Sequence, residues 1–325
     1  MDTPIYEIGR LPGFNQFFEF LMNCRKSTWE KICCLSIREM KENNMISDAE
    51  DVFQGLKYMQ ELINAGVQID HEIWSDEEKK EEPDRCGTKL FYFPGKPESP
   101  FILICPGGGY QSVCSFLEGF PTAFKLNQAG YNAFVLSYRV RQDSLMPKPI
   151  EDVAKALQHI LKNVEKYKTG YIYGLMGFSA GGHLAAEMVT TNMGLVNYGI
   201  QMPKALVLCY APIDLRVMGT GEIIDNFKKA FLKKDAKQDE ECILKQYSIN
   251  LHLSEECPPV YFWQCRDDVI VPFENYRRLE TILKEKKIPN QGILYERGGH
   301  GLTKPHDNFA DHWLDDVILF LNHNL

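Results

Sequence analysis

Ser179 stands in Gly177-Phe178-Ser179-Ala180-Gly181, a G-x-S-x-G pattern. A short apolar run, Tyr171 to Met176, precedes it, and an Ala-rich helical pattern from Gly182 to Thr191 follows. A serine on the turn between strand and helix is lifted above the sheet, beside the helix's positive end. That exposes a nucleophile. The pattern alone also occurs by chance in Gly/Ser loops, so the flanking strand and helix signals carry the chemical meaning.

A serine nucleophile needs a base, a carboxylate to orient that base, and donors for the oxyanion. The expected base is His300, in Arg297-Gly298-Gly299-His300-Gly301, between the last strand and the last helix. The carboxylate lies in Arg266-Asp267-Asp268-Val269-Ile270-Val271-Pro272. Asp268 occupies a D-x-x-V-P frame and is preferred; Asp267 is the alternative. The order Ser179, Asp268, His300 is neither that of chymotrypsin nor that of subtilisin. The run Cys105-Pro106-Gly107-Gly108-Gly109-Tyr110 follows an early strand. Backbone N–H groups of Gly108 and Gly109, with that of Ala180, are the expected oxyanion hole. A phosphate-binding loop is excluded, because the run lacks both G-x-G-x-x-G spacing and a Gly-Lys-Ser/Thr ending. Tyr110 is expected to line the acyl pocket, unless it only shields the glycines.

The elements that position these residues read as an alternation. Strands are expected at Val67–Ile73, Thr88–Phe93, Phe101–Cys105, Tyr131–Ser137, Tyr171–Met176, Ala205–Cys209, Val260–Cys265 and Gly292–Tyr295. Helices are expected at Glu118–Ala129, Ile150–Tyr167, after Ser179, at Phe273–Lys287 and at Asn308–Asn322. Such alternation implies a mostly parallel sheet covered on both faces, with its ligands beyond the strands' carboxyl ends. Residues 1–66 read as a helical extension of two short helices packed on a domain spanning 67–325. Its aromatic residues fit core packing first, with a dimer contact, and hence a homo-oligomer, as the alternative. The acidic stretch Ser75–Arg85 reads as a turn. Residues 212–258 read as a cap-like insertion, with a charged helix over Glu222–Lys234. Arg139 is expected to pair with Asp152, His183 to serve structure, and Trp263 to lie in the core. Glu118 either supports the oxyanion loop or caps its helix.

Composition narrows the function. The chain has 325 residues and a formal net charge of −8. No basic stripe suits it to nucleic acid. Its ten cysteines include no C-x-x-C pair and read as reduced thiols. No metal-ligand spacing stands out, and no cofactor is called for. No signal-peptide pattern is present, and no run approaches the ~18 apolar residues of a membrane span. The expectation is a soluble cytoplasmic protein without a membrane partner.

Three blocks carry a family likeness: Pro106–Tyr110 through Glu118-Gly119-Phe120-Pro121 to Gly130–Arg139; Gly177–Ala185; and the Asp268 and His300 loops. On these residues the chain resembles the α/β-hydrolase superfamily over roughly residues 88–325. The resemblance is to its esterase/lipase-like branch, which includes acetyl-xylan-esterase-type carbohydrate esterases. Pro106 replaces the His that precedes the glycines in related lipases. The resemblance implies hydrolysis of a small-molecule carboxylic ester, with O-deacetylation a common use, and supports Asp268 as the acid. A peptidase, amidase or acyltransferase on the same fold is the first alternative. A non-catalytic binding protein is the second.

Overall fold

The structure is a computed structural model that describes residues 1–141, 143–232, 239–306 and 308–325. Its centre is one eight-stranded sheet: β1 (Asp70–His71), β2 (Lys89–Phe93), β3 (Phe101–Cys105), β4 (Asn132–Ser137), β5 (Tyr173–Phe178), β6 (Ala205–Cys209), β7 (Val260–Cys265) and β8 (Asn290–Tyr295). The strand order is β1-β2-β4-β3-β5-β6-β7-β8. Pairing is antiparallel for β1–β2 and β2–β4, and parallel from β4 through β8. The sheet is therefore mostly parallel, with an antiparallel edge.

The central strands are near-continuous apolar runs because both faces are covered. Phe101, Leu103 and Cys105 of β3 join one buried cluster, with Leu157 and Leu184 of the flanking helices. Ile102 and Ile104 point the other way, into a cluster with Leu126 and Val317. Register brings the carboxyl ends together: Cys105 lies opposite Gly177, Phe178 opposite Cys209, and Cys265 opposite Tyr295.

Several local expectations differ from the structure. Ser75–Arg85 is no simple turn: Asp76–Glu81 is a helix, because Ser75 and Glu78 form a capping box at its start. The strand expected over Val67–Ile73 pairs only at Asp70 and His71, on the sheet's edge. Ahead of it, after a single helical turn at Ile5–Ile8, are the longer helices Lys26–Ile32, Ile37–Glu42 and Ala49–Asn64, rather than two helices in all. Ser36 and Asp48 start the second and third of these through side-chain caps. Phe14–Cys24 is mainly turns; its aromatic side chains reach the sheet face directly, with Phe17 edge-on to Phe91 at 5.4 Å. Val113 and Asn23 exchange backbone hydrogen bonds of 2.8 and 3.1 Å, and Phe116 N–H donates to Leu21 at 2.9 Å. Residues 21–23 thus brace the chain just past the Gly107–Gly109 loop.

Between β6 and β7 lie helices Glu222–Lys228, Glu240–Gln246 and Ile249–His252. The helix expected over Glu222–Lys234 ends at Lys228; Lys233 and Lys234 lie outside the described residues. Asp214, wholly buried, anchors this insertion: it accepts from Arg216 Nε at 2.8 Å and Ser248 Oγ at 3.2 Å, and also pairs with Arg278. All ten cysteines are free thiols. Among the described residues, no helix is long and apolar enough to cross a membrane.

Candidate active site

β5 ends at Phe178 and a helix starts at Ser179, so the serine sits on the turn itself. Its φ is +50°, a left-handed conformation that costs a non-glycine residue ~1–3 kcal/mol. The turn closes because Gly181 has no side chain: a Cβ there would stand 2.1 Å from the Cys105 carbonyl oxygen. The turn leaves Ser179 half-buried at the carboxyl end of β5, an interior strand, facing a cavity of about 440 Å³.

His300 reaches Ser179 from the loop after β8. Its Nε2 lies 2.8 Å from Ser179 Oγ, and its Nδ1 lies 2.7 Å from Asp268 Oδ2. Nδ1–H then donates to the carboxylate, and Nε2 is left to accept the serine proton. Asp268 Oδ1 accepts from the N–H groups of Ile270 and Val271 at 2.9 and 3.0 Å. The D-x-x-V-P frame therefore turns back on its own acid and fixes it. Asp267, one residue earlier, is exposed and accepts from Gly299 N–H at 2.8 Å. It secures the loop that carries His300 without touching the imidazole's bonds.

The glycine loop after β3 faces the same cavity through Gly108 and Gly109, whose φ values are +132° and +62°. Among the described residues, neither N–H has a backbone partner. Ala180 is the second residue of its helix, so its N–H belongs to the first-turn donors without an intrahelical acceptor. Gly107 N–H is committed elsewhere, to Glu118 Oε2 at 2.5 Å. Glu118 Oε1 accepts from the Tyr210 hydroxyl at 2.9 Å. Glu118 therefore supports the loop and does not cap its helix. Burial pushes its carboxyl above the ordinary carboxylate range, against the lowering effect of these two bonds.

Tyr110 departs from its expected place. It is wholly buried and does not line the cavity. A φ of +57° turns it inward, where its ring meets Tyr138, Phe227 and Phe231. Its hydroxyl lies 2.8 Å from His183 Nδ1, and His183 Nε2 lies 2.8 Å from the Tyr247 carbonyl. Nε2–H donates to that carbonyl, so Nδ1 accepts from Tyr110. Burial holds His183 neutral, lowering it to about 4. Tyr110 thus ties the glycine loop to the helix that starts at Ser179.

Arg139 and Asp152 meet at 3.0 Å inside the protein, and Trp74 Nε1 donates to the same carboxylate at 3.0 Å. Trp263 is buried in the sheet and also lines the cavity. Tyr210 escaped sequence reasoning. It follows the carboxyl end of β6, and that position was the available signal. Its ring stands at 74° to that of His300, 4.9 Å between centroids. Among the described residues, no group of three or more His, Cys, Asp or Glu side chains is arranged to hold a metal ion.

A mostly parallel sheet with a serine on the turn after its fifth strand, a histidine after its last and an acid after the strand before that define an α/β-hydrolase. The chain belongs to the BD-FAE family, whose model matches residues 91–283. It is 33% identical over 222 residues to the endo-1,4-beta-xylanase B of Butyrivibrio fibrisolvens, covering 65% of this chain and 34% of that one. It is 26% identical over 250 residues to the acetylxylan esterase of Xylanibacter ruminicola, covering 72% and 49%. The chain thus spans a third to a half of these two curated relatives. An acetyl ester-xyloside bifunctional hydrolase from Caldicellulosiruptor lactoaceticus, solved by crystallography, superposes with a TM-score of 0.66 at 26% identity. That match covers 78% of this chain and 95% of the other.

Proposed function

We propose that the protein is a serine carboxylesterase acting on short-chain, acetyl-type esters of a carbohydrate or another small molecule. The observation that carries this reading is the continuous hydrogen-bonded line from Ser179 Oγ through His300 to Asp268, at 2.8 and 2.7 Å. In this reading Ser179 Oγ attacks the ester carbonyl while His300 Nε2 takes its proton. Asp268 holds the resulting imidazolium. The N–H groups of Gly108, Gly109 and Ala180 receive the carbonyl oxygen as it becomes negative, and one such donor is typically worth ~10²–10³ in rate. His300 then protonates the departing alcohol. Water, deprotonated by the same imidazole, releases the acid from Ser179.

The acetylxylan esterase and the acetyl ester-xyloside hydrolase among the relatives support ester chemistry and the acetyl reading. The cavity of about 440 Å³ falls within the ~300–1,000 Å³ usual for small-molecule sites. The test pairs wild type and Ser179→Ala with a fluorophosphonate probe and p-nitrophenyl esters from acetate upward. Wild type should be labelled once, at Ser179, and should prefer the shorter acids. An unlabelled wild type, or equal turnover by the variant, overturns the reading.

A further inference from the structure

The chain ahead of β1 lies outside the region matched by the family, yet it forms part of the cavity in front of Ser179. Met45, Ile46, Asp48, Asp51 and Val52 line the same space as Ser179 and His300. Ile46 and Val52 are 3% and 2% exposed. They belong to the buried cluster that also contains Phe120 and Leu314. Met45, beside them, is half-buried, and all three border the cavity, so the segment is part of its wall.

Three contacts hold this segment at a fixed height on the helix Phe120–Gln128. Gly55 approaches so closely that a Cβ would stand 2.9 Å from Pro121 N and 3.0 Å from the Phe120 carbonyl carbon. One turn towards the cavity, Asp51 Oδ2 meets Lys125 Nζ at 2.5 Å. One turn the other way, the Tyr58 hydroxyl donates to Asn127 Oδ1 at 2.7 Å. The Asp51 and Lys125 side chains are 33% and 37% exposed, and a pair so placed adds little stability. What it does add is register, because it ties the cavity end of one helix to the other. The supporting helix begins two residues after Glu118, the side chain that holds Gly107, so the wall and the oxyanion loop share one base.

We propose that Met45–Val52 is the specificity wall of the Ser179 cavity, and that Gly55 and the Asp51–Lys125 pair set its distance from the nucleophile. The proposal rests on the esterase reading and extends it to the part of the ester remote from the carbonyl. Met45, backed by Ile46 and Val52, offers that part an apolar surface. Among the described residues, the carboxylates and ammonium lining the cavity are Asp48, Asp51, Glu118, Asp311 and Lys125; Lys125 is engaged by Asp51 and Asp311 by His306. The acidic excess selects an uncharged group over an anionic one.

The experiment compares wild type with Ile46→Trp, Ile46→Ala, Asp51→Lys, Lys125→Asp and the double charge swap. The first readout is the ratio of kcat/KM for p-nitrophenyl hexanoate to that for the acetate. Ile46→Trp should lower this ratio ~10-fold, and Ile46→Ala should raise it ~5-fold, the scale of one or two methylenes in an apolar pocket. Each single charge variant should shift the ratio, and the double swap should return it to within twofold of wild type. The second readout needs no turnover: calorimetric binding of hexanamide to the same variants in a Ser179→Ala background. Affinity should fall with Ile46→Trp. Ile46→Ala only removes atoms, and it carries the test if the bulky variant does not fold. Hexanamide affinity unchanged within twofold across the Ile46 variants overturns the wall. A wild type that hydrolyses no ester overturns the esterase reading, and the hexanamide titration still decides the wall.

Discussion

The Glu118 carboxylate accepts a hydrogen bond from the Tyr210 hydroxyl at 2.9 Å, and its other oxygen holds Gly107 N–H at 2.5 Å. One side chain therefore joins the loop that carries the proposed oxyanion donors to the ring packed against His300. Glu118→Ala leaves Gly107 without its acceptor and the Tyr210 hydroxyl without a partner. The expected result is a loss of ~10–100-fold in kcat with little change in KM, because the contacts affected tighten on the transition state. Glu118→Gln keeps one acceptor for Gly107 and can donate to the Tyr210 oxygen, so it should recover most of the rate. Steady-state kinetics on p-nitrophenyl acetate checks both. Equal losses in the two variants would mean that the charge matters and the positioning does not.

How much of this was legible in the sequence depended on whether position alone decided it. Ser179 and His300 were legible because each follows a strand end, and in a parallel sheet those ends converge. The glycine loop was legible for the same reason. Asp267 and Asp268 were hard to separate because they are adjacent. The return of the Ile270 and Val271 amides onto Asp268, its burial and its bond to His300 distinguish them, and side-chain direction is not a property of spacing. Tyr110 was misplaced because its sequence neighbours lie at the cavity, while a positive φ sends its own ring inward. The wall at Met45–Val52 was out of reach. Apolar periodicity shows that the helix Ala49–Asn64 buries one face, but not that its first turn meets a cavity built by residues far along the chain.

His183 makes part of the folding stability depend on pH. Burial lowers it from 6.5 to about 4, so between those values the unfolded chain takes up a proton that the folded protein refuses. Stability from this group is complete above pH 6.5 and is lost as pH falls toward 4, by about 3 kcal/mol in all. Glu187, whose Oε1 lies 3.5 Å from His183 Nε2, is raised by its burial and acts in the opposite sense. The stability difference between wild type and His183→Gln, from urea unfolding at intervals from pH 7.5 to 4.5, should therefore shift in the variant's favour on acidification. A pH-independent difference would show that His183 does not titrate in this window.

Arg139 is 1% exposed and Asp152 is wholly buried, so neither has water to replace its partner. Burial raises Asp152 to about 6 even with the guanidinium beside it. Arg139→Ala should cost ~3–5 kcal/mol, the scale for removing one member of a buried pair. Urea unfolding at pH 7.5 measures this. Adding Asp152→Asn should return part of the loss, since the amide still accepts from Trp74 and leaves no bare charge. A double variant no more stable than Arg139→Ala would locate the loss in packing and in the pairs that Arg139 makes with Glu82, Asp84 and Glu151.

The two adjacent acids give the sharpest test of the proposed chemistry, because the proposal assigns them different functions at neighbouring positions. Asp268 is 4% exposed and bonded to His300 Nδ1, whereas Asp267 is exposed and bonded only to the backbone of the histidine's loop. Asp268→Asn replaces an oxygen that accepts Nδ1–H by a group that can donate to it. That favours the tautomer with the proton on Nε2, where it faces Ser179 Oγ and blocks proton removal. The expected loss in kcat is ~10³–10⁴. Asp267→Asn keeps an acceptor for Gly299 and should lose less than ~10-fold, mostly through a looser His300 loop. The pH profile separates the two further: Asp267→Asn should retain the wild-type shape, while the residual rate of Asp268→Asn should rise at high pH, where hydroxide can take over the base's task. Greater damage from Asp267→Asn would move the triad by one residue and would require the His300 loop to turn away from the place it holds here.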